Sequence, residues 1–520
     1  MKLGQVPDEL ASLRDCVRAG FLGPMSPPAL LAAARGIRAY GPMGGLVGLS
    51  AARFPGRNAV LDEQGPVTFA ELDAQSNALA NSWRTLGLNA GDGVAILARN
   101  HRGFLQATFA AAKCGARVVL LNSDFSGPQI REVAGREGVD LLAFDEEYAD
   151  ALEGVAPRHG RWRTDEPVGD DTTAPPAPAT RAKIVVLTSG TTGSPKGAPR
   201  SEPPGLTPVG AILDKVPFRS GRTVELCAPM FHSLGFAQAM LQIGLGNTLV
   251  LRRRFDPLAT LRSLDTNAVD AMIVVPVMLQ RMLDLGDEAR ADLDLSRLRI
   301  VFVAGSQLGA ELATRAAAVL GPVLHNLYGS TEVAYATMAT PEDLAAEPAC
   351  VGRVMRGAVV RLLDADGHEV ALGETGRIFV ANTMQFDGYT SGETKTVIGG
   401  LMSSGDVGHF DAHGRLFVDG RDDEMIVSGG ENVFPREIEE LLELHPGVVE
   451  VAAIGVPDET FGQRLRVFVV RRDSALTEDD VKAHVKENLA RYKVPRDVLF
   501  LDELPRNPTG KVLKRELAGR

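Results

Sequence analysis

The run Leu187-Thr188-Ser189-Gly190-Thr191-Thr192-Gly193-Ser194-Pro195-Lys196-Gly197 is the densest set of anion-gripping groups in the chain. Its glycines let backbone N–H groups approach a ligand closely. Its Thr and Ser hydroxyls add donors and Lys196 adds a charge. A concave set of donors with one cation is what a polyphosphate needs. The run is not a Walker loop. Counting G-x-x-x-x-G-K-S/T from Gly190, position 195 should be glycine, and it is Pro195. The plain alternative is a surface turn. Eleven residues of this composition directly after the apolar strand Ile184-Val185-Val186 argue against it.

The elements that must carry such a loop follow from hydrophobic periodicity. β-rich runs at Val94–Ala98, Val118–Leu121, Ile184–Leu187, Thr248–Leu251, Met272–Val275 and Ile300–Val303 alternate with helical patterns such as Gly103–Lys113 and Leu308–Val319. This alternation predicts an α/β fold with largely parallel sheets. Residues 156–182, with Pro167, Pro175, Pro176 and Pro178, read as a loop crossing the surface between two subdomains. From Ile378 onward shorter β-rich runs predict a barrel-like part. The turn Gly420-Arg421-Asp422-Asp423-Glu424 precedes a final segment with helices at Arg436–Leu444 and Glu478–Leu489 and strands at Val449–Ile454 and Leu465–Val470. That segment has the size of a small α/β domain.

Composition narrows the class. The 520 residues carry 55 Lys+Arg against 66 Asp+Glu, a net charge of −11, with 45% hydrophobic residues. Such a chain builds a large core and is a poor general nucleic-acid binder. Cys16, Cys114, Cys227 and Cys350 are too far apart for a zinc motif. They read as four buried thiols in a reducing cytoplasm. The N-terminus lacks the pattern of a signal peptide. The densest apolar stretch, Ala271 to Leu279, is nine residues long and contains Pro276, too short to span a bilayer. Residues 28–49 read as an amphipathic helix followed by a Gly-rich turn, and are the one candidate for peripheral contact with the inner face of a membrane. The oligomeric state is open, with a homodimer as the assembly to test.

The phosphate loop resembles the signature loop of the acyl-adenylate-forming superfamily: acyl-CoA synthetases, luciferases and peptide-synthetase adenylation domains. Further motifs of that superfamily follow in order. Thr68-Phe69-Ala70-Glu71-Leu72 resembles its early motif, and Pro229-Met230-Phe231-His232 its PxFH segment. Tyr328-Gly329-Ser330-Thr331-Glu332 matches its YGxTE motif, and Ser404-Gly405-Asp406 resembles its TGD. Gly420-Arg421-Asp422-Asp423 and Ser428-Gly429-Gly430-Glu431-Asn432 resemble the hinge and the loop after it. Pro505 through Lys511 matches the C-terminal PxxxxGK. The resemblance spans roughly Thr68 to Lys511. It implies a large N-terminal adenylation domain, residues 1–422, with two α/β sheets and the barrel-like part. A small mobile α/β lid, residues 423–520, would follow.

The resemblance implies ATP, Mg2+ and CoA as the small molecules used, and an acid joined first to the α-phosphate of ATP and then to a thiol. Thr188, Ser189, Gly190, Thr191, Thr192 and Lys196 would cradle the phosphates. Tyr328 and Gly329 would flank adenine, Thr331 would reach a phosphate, and Glu332 would hold Mg2+, a hard cation suited to oxygen ligands. Asp406 and Arg421 would bind ribose. Lys511 would reach both the carboxylate and the α-phosphate. Ala304, Gly305 and Ser306 would lie between adenine and an acyl pocket formed with His232, Gly235, Phe236 and Ala334. Asp423 would be the hinge, and Gly429 and Gly430 would line the pantetheine channel.

The chain also departs from the pattern. Ala198-Pro199-Arg200 replaces a longer helical run, and Ser404 stands where Thr is usual, keeping the hydroxyl. The run Leu120 to Gly127 resembles that of actinobacterial-type fatty-acid–CoA ligases. The leading expectation is therefore a medium- or long-chain fatty acyl-CoA synthetase. Its competitors are an acyl-AMP ligase that loads a carrier protein and an aryl- or short-chain-acid–CoA ligase. A silent nucleotide-binding protein is disfavoured by the joint presence of Lys196, Glu332, Asp406, Arg421 and Lys511.

Overall fold

The computed structural model describes residues 6–188, 195–200, 202, 205–422, 426–428, 431–458, 462–489, 493–507 and 510–519. Its strands form four sheets of nine, six, five and five strands. The nine-stranded sheet holds the parallel strands Thr248–Val250, Thr223–Leu226, Ala271–Val274, Ile300–Val303 and Leu324–Tyr328 as neighbours in that order. Strands buried on both faces read as continuous apolar runs, and Ala271–Val274 and Ile300–Val303 are buried at every position.

The six-stranded sheet carries Gly93–Leu97, Arg117–Leu120, Val139–Phe144 and Lys183–Thr188 in parallel. Strand Lys183–Thr188 then pairs antiparallel with Lys196–Arg200, Thr188 opposite Lys196. The phosphate loop therefore joins two antiparallel strands, with Lys196 at the first position of the returning one. A shared core beneath the two large sheets contains Phe69, Trp83, Phe104, Phe109, Phe218 and Phe302.

Where a barrel-like part is expected from Ile378, there is an antiparallel five-stranded sheet that starts earlier, with Val359–Leu363, and includes Gly376–Ala381, Leu401–Phe410 and Leu416–Arg421. The last sheet contains Val448–Asp458, Gly462–Arg471 and Asp497–Phe500, covered by helices Pro435–Glu443 and Glu478–Asn488. It has its own core, with Ile438, Leu442, Val451, Val467 and Val485. The boundary expected at Asp423 lies outside the described residues.

Two expectations change, for residues 41–48 and for Cys227. Residues 42–48 are helical and not a Gly-rich turn: the helical span Pro27–Arg53 is two helices joined by a kink at Gly41, whose φ is 73°. Its glycines serve close approach. A Cβ on Gly44 would lie 3.2 Å from the Ala112 backbone. Tyr40, Leu46 and Val47 face the core, so only the first turns, with Leu30 and Leu31, present exposed leucines. Residues 271–279 divide into a strand and the start of helix Pro276–Leu283, broken where Pro276 removes a donor. Cys227 is partly exposed, while Cys16, Cys114 and Cys350 are buried, and all four are free. The proline-rich loop is tied to helix Phe69–Thr85 by Asn77, Asn81 and Ser82, which donate to the carbonyls of Thr172, Thr173 and Val168. No helix among the described residues is long and apolar enough to cross a membrane.

Candidate functional site

Parallel strands deliver their following loops to one edge, and ligands of open α/β sheets bind there. The loops after Leu226, Val274, Val303 and Tyr328 therefore share one edge: Pro229 to His232, Val275-Pro276-Val277, Ala304-Gly305-Ser306 and Gly329 to Glu332.

Glu332 closes a tight turn. The Ala334 N–H donates to the Ser330 carbonyl at 2.9 Å, and Ala334 sits at φ 64°. A Cβ on Gly329 would lie 2.0 Å from the Ala334 carbonyl, so only glycine fits there. The Glu332 carboxylate accepts from the Tyr389 hydroxyl at 2.6 Å and from Ser330 Oγ at 3.0 Å. Burial alone would raise its pKa, but those donors and the Lys395 charge outweigh it and hold the carboxyl below its ordinary value. An ionised carboxylate with lone pairs to spare fits a hard cation. Over the Tyr389 ring stands Lys196, with Nζ 5.5 Å from the centroid and an ion pair to Glu393. Arg200 donates to the Thr331 carbonyl. Burial pulls the Arg200 pKa down to about 10, and the Glu332 charge works against that shift.

A second carboxylate anchors the neighbouring cluster. Asp406 lies directly opposite Arg421 across two antiparallel strands, with Oδ1 3.1 Å from Arg421 Nη1. Tyr328 donates its hydroxyl to Asp406 Oδ2 at 2.6 Å. Burial and the Asp406 charge push the Tyr328 phenol well above its ordinary value, which keeps it a donor. Ser404 Oγ donates to the Ile378 carbonyl at 3.0 Å and accepts from the Asp406 N–H at 3.1 Å, so serine does this positioning in place of threonine. Burial raises the Asp406 pKa, opposed by Arg421, Tyr328 and the charge of Lys511.

Lys511 is therefore within electrostatic reach of Asp406, although 105 positions separate them. Its loop is braced locally: the Lys511 N–H donates to Asn507 Oδ1 at 2.9 Å, and Arg506 donates to the Gly510 carbonyl at 2.6 Å. Gly510, at φ 77°, lies so close to Val277 that a Cβ would meet Val277 Cγ1 at 2.1 Å. Gln307 donates to Glu440 at 3.1 Å, a second tie between the last domain and the edge of the large sheet.

Beside these clusters is an uncharged wall. His232 stands at the N-cap position of helix Ser233–Gly244, and its buried Nε2 has no hydrogen-bond partner among the described residues. Burial pulls the imidazole pKa down to about 4, so it is neutral at pH 7. Gly305, at φ 97°, faces Val275 and Leu234; a Cβ there would lie 3.3 Å from Val275 Cγ1. Ala304 is buried and Ser306 half-buried. At Gly235 a Cβ would lie 2.2 Å from the Pro229 carbonyl, so only glycine permits the turn into the helix there. Phe236 and Ala334 pack against the main core.

Ser189, Gly190, Thr191, Thr192, Asp423, Gly429 and Gly430 lie outside the described residues, as does the side chain of Thr188. Tyr389, Glu393, Lys395 and Arg200 are site neighbours that motif reading missed. Three of them sit in the polar stretch 385–395, which has no periodicity to mark it. Its Gly388-Tyr389 pair is the one local signal.

Comparison with known proteins places the chain in a family. Residues 49–390 match the AMP-binding enzyme family, and residues 437–511 match the AMP-binding enzyme C-terminal domain. Indoleacetate–CoA ligase of Aromatoleum aromaticum is 32% identical over 495 residues, covering 90% of this chain and 96% of that protein. A fatty acid–acyl-carrier-protein ligase of Streptomyces coeruleorubidus is 29% identical, covering 90% of this chain and 94% of that protein. The o-succinylbenzoate CoA synthetase of Bacillus subtilis, solved with its acyl-adenylate intermediate, superposes with a TM-score of 0.82 at 26% identity, covering 91% of this chain and 97% of that one.

Proposed function

The chain belongs to the AMP-binding enzyme family, and from that premise we propose that it is an AMP-forming acid–CoA ligase for apolar monocarboxylic acids, aromatic acids first. One observation carries the reading: the loop holding Gly510-Lys511, from the last domain, packs on Val277 at the edge of the large sheet that also holds Glu332, whose carboxylate accepts from Tyr389.

The first step forms a bond between the acid's carboxylate oxygen and the α-phosphorus of ATP, while the bond to pyrophosphate breaks. Both reactants are anions, so the approach is uphill until fixed cations offset the charge. Lys511 and Lys196 would supply those cations. Asp406, held by Tyr328 and Arg421, offers acceptor oxygens for ribose hydroxyls. Mg2+ held by the Glu332 carboxylate would neutralise phosphate charge. In the second step the thiol of CoA bonds to the acyl carbonyl carbon, the bond to AMP breaks, and the thiol proton leaves to solvent.

The acid class follows from the uncharged wall. His232 is neutral, and Val275, Leu234 and Gly305 are apolar, so a second carboxylate would be buried there without a partner. Dicarboxylic acids are disfavoured on that ground. The 32% identity to an indoleacetate ligase supports an aromatic acid. A second reading, a fatty acid passed to a carrier protein, is favoured by the 29% identity to a ligase of that kind.

The test is AMP formation dependent on ATP and Mg2+, with CoA or a phosphopantetheinyl carrier protein as acceptor. The panel holds indoleacetate, ferulate, C2 to C18 fatty acids and 2-succinylbenzoate. Turnover of the aromatic monocarboxylates with CoA is expected. Turnover of fatty acids on the carrier alone would transfer the proposal to the second reading. No AMP with any acid would overturn both.

A further inference from the structure

The same strands have another end. At the amino ends of Thr223–Leu226, Ala271–Val274 and Ile300–Val303 lies a cavity of about 350 Å3. Because these strands are parallel, it sits a strand's length, roughly 13 Å, from the loops of the site just described. Its floor includes Phe218, Val224 and Ile300, all buried. Its walls carry Arg219, Arg222, Arg297 and Arg299, with Asp270 as the one carboxylate.

Four guanidiniums against one carboxylate leave a formal excess of +3, in a chain whose net charge is −11. Asp270 is also shared. It accepts from the Thr223 N–H at 3.2 Å, and stands 3.4 Å from Arg222 and 3.6 Å from Arg297. Among the described residues Arg219 and Arg299 have no carboxylate partner; Arg219 donates only to its neighbour's carbonyl, Phe218 O, at 2.7 Å. Burial and the nearby charges of Arg18 and Arg222 lower the Arg219 pKa, as expected of cations crowded without a counter-ion.

We propose that this cavity is an anion site that takes a small molecule carrying two or more phosphate charges. Planar guanidiniums pair bidentately with phosphate oxygens. A volume of about 350 Å3 is within the range of small-molecule pockets and exceeds what a single phosphate fills. The apolar floor suits a flat or apolar body attached to the phosphates. This inference does not rest on the ligase reading, since none of these residues lines the other edge.

The experiment titrates tripolyphosphate and, separately, ADP into the full chain by calorimetry. The wild type is compared with Arg219→Ala/Arg299→Ala and with Asp270→Asn. Wild type should need two sites, one of them at the adenylation edge. The double variant should lose the second site, weakened about tenfold or more, while its AMP formation stays within about twofold. Asp270→Asn should tighten that site about threefold, a gain that misfolding does not mimic, because the amide oxygen still accepts from Thr223 N–H. Tighter ADP than tripolyphosphate at this site assigns the floor to a nucleoside; the reverse assigns the cavity to inorganic polyphosphate. Isotherms unchanged in both variants would overturn the proposal.

Discussion

The two ends of strands Thr223–Leu226, Ala271–Val274 and Ile300–Val303 differ in where their charge comes from. At the carboxyl ends the strands' own loops offer neutral groups: His232, Val275, Ala304 and Gly305. The cations there come from other parts of the chain, Lys196 from the six-stranded sheet, Arg421 from the antiparallel sheet and Lys511 from the last domain. At the amino ends the flanking segments bring their own arginines. Cations drawn from several parts of the chain meet only through tertiary packing, so their charge is gathered by the fold and not by one segment. A fixed cluster of arginines carries its charge at all times and must stay near solvent to tolerate it. Arg222 and Arg297 do so, each about half exposed.

This contrast can be broken by mutation, beginning with the largest effect. Lys511→Ala removes the cation that arrives with the last domain, and acyl-adenylate formation, followed by pyrophosphate release, should fall at least a hundredfold or so. Survival of that half-reaction would remove Lys511 from the chemistry. Glu332→Gln keeps the Tyr389 and Ser330 contacts in shape but removes the charge. It should slow adenylation roughly ten- to a hundredfold and raise the Mg2+ concentration needed for half-maximal rate. An unchanged Mg2+ dependence would assign the metal elsewhere.

Gly305→Ala puts a methyl 3.3 Å from Val275 in a backbone conformation that suits glycine. KM for the acid should rise about tenfold with KM for ATP nearly constant; equal effects on both would refute an acid-side wall. The smallest effect lies between the two ends, at Glu225, a buried carboxyl whose pKa is pushed up to about 7 by burial, with Ser263 and Arg252 opposing. The unfolded chain gives up this proton near 4.5 and the folded chain near 7. Folding therefore becomes less favourable as pH rises through that window, and the penalty is constant above it. The Tm of Glu225→Gln minus that of the wild type should climb from pH 5 to pH 8. A flat difference would mean that Glu225 does not titrate there.

Much of this was legible before any coordinates. Short apolar runs marked the parallel strands within a residue or so, because a strand buried on both faces must be apolar throughout. Tyr328 to Glu332 and Ser404 to Asp406 were visible as motifs because tight turns demand particular residues, as Gly329 against the Ala334 carbonyl illustrates. Other features were not legible. Gly41 to Gly48 looked like a turn, since glycine serves equally as a flexible hinge and as a close-approach surface, and only the position of Ala112 distinguishes them. Tyr389 was passed over because a residue that bridges two motifs, here Lys196 and Glu332, carries no pattern of its own.

By itself the sequence determined the α/β alternation, the order of the motifs and the identities of the charged residues, all of which depend on local periodicity and turn sterics. Tertiary structure alone decided which charges meet. Asp406 opposite Arg421, Gly510 against Val277, and Asp270 between Arg222 and Arg297 are contacts made by strand register and domain docking. Coulomb energies depend on distances in space, and those distances exist only once the chain has folded.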